Sequence, residues 1–112
     1  MLSWSSTTAS TPADLAAITQ GTGDGGLPNG RELIDFTNAV GGVDEAALAA
    51  ARDALCASAG EAFMVDAAAV IANFEMMTRV ADGTGARFPN ESAGHRAALD
   101  QRLDIGHFTS AR

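Results

Sequence analysis

Few side chains in this 112-residue chain can do chemistry. The one cysteine, Cys56, lies in Ala54-Leu55-Cys56-Ala57-Ser58. A reactive thiolate needs a cationic neighbour or a helix N-terminus. Cys56 is expected near the C-terminal end of a helix, where the dipole opposes an anion, so it reads as a small packed residue. A single cysteine also excludes an intrachain disulfide, a Cys-pair redox centre and a four-ligand structural zinc site. His95 and His107 stand on different segments, and neither has a His or Glu partner at the spacing of a metal-binding helix. No metal and no cofactor is expected, and His95 reads as a surface residue.

Two sets of polar residues remain, both on the longest expected helix. Glu75 and Arg79 stand at i, i+4 with the acid on the N-terminal side, the favourable order, and Asp82 follows one turn later. This is either a helix-surface ion pair or a polar cluster flanking a pocket between helices. Asp66 and Asn73 lie seven apart on the opposite seam. Apolar neighbours flank them, so Asp66 should be paired or favour the helix N-terminus, and Asn73 should hydrogen-bond between helices. Asp66, Asn73, Glu75, Arg79 and Asp82 are the candidate pocket or interface residues; no catalytic residue is assigned.

The elements that must position them read as helices throughout. Thr11, Pro12 and Asp14 suit the start of a short helix over about Pro12 to Thr19. The Gly-rich stretch Gly21 to Gly26 lacks a Lys-Ser/Thr ending and a preceding strand, so it is a linker and not a phosphate loop. Asn29 with Glu32 reads as a capping box, followed by the stripe Leu33, Phe36, Thr37, Val40 and the stop Gly41-Gly42. Asp44 starts the next helix, with Leu48, Ala51, Arg52, Leu55 and Ala59 at helical spacing and Gly60 closing it. The long helix spans about Glu61 to Asp82. It carries Phe63, Ala67, Val70, Ile71, Phe74 and Met77 on one side, and Val65, Ala69, Ala72, Met76 and Val80 on the other. Gly83-Thr84-Gly85 and Pro89 stop it. A last helix runs from about Glu91 to Asp104, with His95, Arg96, Asp100 and Arg102 on a solvated face, before Ile105-Gly106-His107-Phe108. No segment alternates as a strand does, and no repeat is visible.

Composition bounds the function. Seven basic residues, all Arg, against fourteen acidic ones give a net charge of −7, which disfavours nucleic acid and anionic membrane surfaces as partners. The apolar run Ala62 to Met77 is broken by Asp66, Asn73 and Glu75, so it is not a membrane span. Residues 1–6 show neither a basic n-region nor an apolar h-region, which makes the cytoplasm the expected location. The expected organisation is a flexible segment over residues 1–28 with one short helix, then a helical domain over residues 29–112. The fold class is all-α, a small bundle of about four helices.

The stretch from Met64 to Gly85, with its acid followed by small apolar residues, Asn73-Phe74, Arg79 and the glycine turn, resembles the AhpD-like alkylhydroperoxidase and carboxymuconolactone decarboxylase superfamily. Arg31-Glu32-Leu33-Ile34-Asp35-Phe36 and Val43-Asp44-Glu45-Ala46-Ala47-Leu48 are similar to its two preceding helices, and Leu103 to Ala111 to the way several members end. The resemblance covers about residues 29 to 111. Redox members carry a Glu, a Cys-x-x-Cys pair and a downstream His on an earlier helix, and this chain has no such motif. Cys56 falls on the helix before the long one, where the pair does not belong, so no catalytic residue carries over. The resemblance implies a half-fold corresponding to the latter part of the family domain. It implies a non-redox, oligomeric helical protein that binds a small apolar ligand or a partner between helices. The alternatives are a decarboxylase- or hydrolase-type enzyme using acids such as Glu75 or Asp66, and a companion subunit to a Cys-x-x-Cys chain.

A long helix that is apolar on two sides cannot face water with either. With only three other substantial helices to cover it, the chain is expected to form a homo-oligomer whose contact includes that helix.

Overall fold

Helix boundaries follow the chain's capping residues and glycines. The computed structural model describes residue 10, residues 13–86 and residues 93–104, the side chains of 93–96 and 99 excepted. Within these lie five helices and no strand: α1 (Ala16–Gln20), α2 (Gly30–Val40), α3 (Glu45–Ala59), α4 (Glu61–Thr84) and α5 (Ala93–Leu103). The protein is a small all-α bundle. Thr11, Pro12, Pro89, Glu91, His107 and the tail Ile105 to Phe108 lie outside the described residues, as does the side chain of His95.

α3 is encoded most directly. Asp44 has extended backbone, and its Oδ1 accepts the N–H groups of Ala46 and Ala47 at 2.9 and 3.0 Å. These are two of the four donors that a helix start leaves without a partner. Alanine fills much of the rest and loses no side-chain entropy on folding. The helix ends where the Gly60 N–H reaches the Cys56 carbonyl at 2.9 Å. Gly60 then takes φ 91° and ψ 160°, a backbone region open in practice only to glycine. That single residue joins α3 to α4.

α2 differs from its expected start. Asn29 is its N-cap, but at φ 54° it is left-handed and its side chain makes no capping hydrogen bond, so no capping box with Glu32 forms. The preceding loop imposes this geometry: the Leu27 N–H donates to the Asp24 carbonyl, and the Gly30 N–H to that of Leu27. Gly30 is buried so closely against the Asp24 carbonyl that a Cβ there would overlap it. The helix does stop at Gly41-Gly42, but Gly41 stays right-handed and its N–H bonds the Thr37 carbonyl; the expected left-handed cap is absent. α1 also starts later than expected, at Ala16, with the Asp14 carboxylate accepting its N–H at 3.1 Å.

α4 runs two residues beyond Asp82. Gly85 is left-handed; its N–H donates to the Asp82 carbonyl and that of Ala86 to the Ala81 carbonyl. This crossed pair is the Schellman arrangement, which satisfies the last free carbonyls of the helix. Gly83 and Thr84 stay helical, and the Thr84 hydroxyl donates back to the Val80 carbonyl at 2.8 Å.

Residues 13–30 close on themselves. The Asp14 N–H donates to the Gly25 carbonyl at 2.8 Å, the Gly26 N–H to Asp24 Oδ1 at 2.8 Å, and Ala17 and Gly25 are buried. Arg31 reaches from α2 toward the Gly21 carbonyl while pairing with Asp35 at 3.0 Å. The Gly-rich stretch thus forms a hydrogen-bonded loop beside α2.

Both α2 and α4 pack on α3, and they touch each other only lightly; α5 lies against α1. Ala17, Phe36 and Leu55 are the buried hydrophobic residues among those described, and Leu55 is fully enclosed. Its stripe partners Leu48, Ala51 and Ala59 are half-buried, as helical spacing predicts, whereas Arg52, placed on the same stripe by its spacing, is exposed. Truncating Leu55 removes the one fully enclosed large side chain among those described. Leu55→Ala should therefore lower unfolding free energy by about 2–5 kcal/mol, and Asp44→Ala by about 1 kcal/mol, measured by urea denaturation. Gly30→Ala should cost about 1–3 kcal/mol because the loop carbonyl must move; a wild-type midpoint would contradict the close approach.

Candidate functional site

Because α2 and α4 diverge from their common support, an apolar groove of about 580 Å³ opens between them. That volume falls within the range of small-molecule sites. Its floor and walls come from residues at helical spacing: Leu33 and Thr37 on α2, and Phe63, Val70, Ile71 and Phe74 among those on α4. The α4 residues span from Phe63 to Thr78, so the groove runs about 22 Å along that helix at 1.5 Å per residue.

The polar lining is sparse. Asp66 and Glu75 both border the groove. Nine residues separate them, which at about 100° per residue places them on opposite sides of the strip between. The Thr37 and Thr78 hydroxyls donate to the Leu33 and Phe74 carbonyls one turn back, at 2.8 and 3.0 Å. Their hydrogens are therefore engaged within the helix. Both charged residues that line the groove are acidic, and Glu75 has Arg79 nearby.

The five polar residues picked out in the sequence divide. Asp66 and Glu75 come together at the groove. Asn73, Arg79 and Asp82 are exposed and do not line it. Arg79 Nη2 stands 4.0 Å from Glu75 Oε2, with both side chains largely in water, a contact worth at most a few tenths of a kcal/mol. Asp66 and Asn73 are also exposed, although apolar residues flank them in sequence. The reason is that the neighbouring helices shield only Met64, Ala67, Ala68, Ile71 and Ala81 of α4, and no residue of that helix is fully buried.

Cys56 is a free, half-buried thiol near the C-terminal end of α3. Among the described residues no three His, Cys, Asp or Glu side chains cluster as a metal site would require, and no helix is long and apolar enough to cross a membrane.

The α2 wall of the groove escaped sequence reasoning. Leu33 and Thr37 carry the signal, an i, i+4 pair on the apolar stripe of α2, but the same spacing serves a helix packed into a core. A second, smaller apolar pocket lies between α1, its loop and α2, lined by residues including Ile18, Leu27 and Ile34.

Compared with protein-family models, with curated proteins and with solved structures, the chain gives no match.

Proposed function

We propose that this chain is a non-redox helical binding module, working as a homo-oligomer, that holds a small elongated apolar ligand in the groove between α2 and α4. The observation that carries the reading is the groove itself: about 580 Å³, lined by aliphatic and aromatic side chains, with carboxylates at its rim. An apolar tail gains roughly 25 cal/mol for each Å² removed from water there. Asp66 and Glu75 favour a neutral or cationic head group over an anionic one, because a carboxylate brought to that rim meets like charge. The resemblance to AhpD-like proteins agrees with an oligomeric helical protein. The single thiol near a helix C-terminus speaks against a member with peroxidase chemistry.

The test is a ligand titration with Nile red as a neutral apolar probe. Its emission should shift to the blue on binding. Dodecylamine should displace it about tenfold more effectively than dodecanoate, a difference of about one charge contact. Val70→Arg, at a half-exposed groove position where folding should tolerate it, should abolish binding. Unchanged binding by that variant would overturn the site.

The purified protein should also fail to reduce alkyl hydroperoxides with a dithiol donor, since one thiol per chain cannot close an intrachain disulfide. Robust turnover that disappears in Cys56→Ser would refute the non-redox reading.

A further inference from the structure

Among the described residues, the side chains on the apolar side of α4 facing away from the groove are exposed. Val65, Met76 and Val80 are each more than half exposed, and Ala69 and Ala72 between them are exposed as well.

We infer that this face is occupied by the same face of a second copy, with the two α4 helices antiparallel and held at both ends by Glu61–Arg79 ion pairs between copies. The inference rests on the homo-oligomer reading above and adds the surface and its orientation.

Charge placement on α4 selects this arrangement. Arg79 is its one basic residue, among Glu61, Asp66, Glu75 and Asp82. Glu61 and Arg79 are eighteen residues apart, five full turns at 3.6 residues per turn, and therefore on the same flank of the apolar strip. A two-fold axis perpendicular to antiparallel helices sets each flank beside the same flank of the partner. With the axis at the level of residue 70, each Arg79 lies opposite the other copy's Glu61. Within one residue of level, Val65 then meets Met76 and Ala69 meets Ala72. Large side chains sit at the ends and small ones at the centre, which allows the axes to approach to about 8 Å. A parallel pair instead sets Arg79 beside the flank carrying Asn73, Val80 and Thr84, and offers it no carboxylate.

The experiment uses the full chain carrying Cys56→Ser. Val65→Cys and Met76→Cys proteins are oxidised separately and mixed. The mixed 65–76 disulfide should dominate, and each protein alone should link at least about tenfold less. Equal positions lie about 16 Å apart along antiparallel axes, beyond the Cα separation of roughly 4.4–6.8 Å that a disulfide spans. In sedimentation equilibrium, Glu61→Arg and Arg79→Glu should each weaken the dimer about tenfold, and the double variant should recover to within about threefold. Efficient self-linking of Val65→Cys would overturn the antiparallel arrangement while leaving the homo-oligomer reading intact. A stable monomer at high micromolar concentration would overturn both. Neither result touches the groove, which lies on the other side of α4 and is read separately by Nile red.

Discussion

A helix of 24 residues with apolar side chains on two sides needs more cover than the other described helices give it, and none of its residues is fully buried. α3 is the neighbour it packs on most, and α2 only brushes it. The resulting shielded strip, Met64, Ala67, Ala68 and Ile71, follows one narrow line along the N-terminal half of the helix. The groove between α2 and α4 follows from this mismatch. So does the exposure of Phe74 and Met77 on one side and of Val65, Met76 and Val80 on the other. Apolar surface left in water on this scale marks interaction sites in soluble proteins.

The core is correspondingly small and centred on α3. Leu55 on α3 and Phe36 on α2 are buried, as is Ala17 on α1, which lies beside Gly23 of the loop. Most of α3 is alanine or another short side chain, so the helices approach closely but bury little area for each residue ordered. Helix-terminal hydrogen bonds therefore carry more relative weight here than in a domain with a large aromatic core. They are well made at Asp44 and at Gly85.

What was legible in the sequence was local. Asp44 followed by Glu45 and an alanine run specifies a helix start through contacts within four residues, and Gly60 marks its end the same way. The stripe Leu48, Ala51, Leu55 holds because one face of α3 meets both neighbours. Asn29 misled because a cap depends on the backbone entering the helix, and here the turn from Asp24 to Gly30 sets that backbone left-handed. At the Gly-rich stretch composition registers conformational freedom, whereas the hydrogen bond between Asp14 and Gly25 depends on residues eleven apart. At the groove, spacing put Asp66 and Glu75 on the seams of α4. It could not supply the angle between α2 and α4, which decides that these two carboxylates share a cavity while Asn73 and Asp82 do not.

The contact of α1 with α5 differs in kind from the rest of the bundle. α2, α3 and α4 follow one another in sequence with short connections, so each pairing closes a small loop. Joining α1 to α5 instead encircles all three. Loop-closure entropy grows only logarithmically with length, yet the reward is a short α1 and the few side chains it offers. That pairing belongs to the low-stability end of the molecule. Among the described helices, amide exchange in α1 and α5 is therefore expected to outpace that around the buried Leu55.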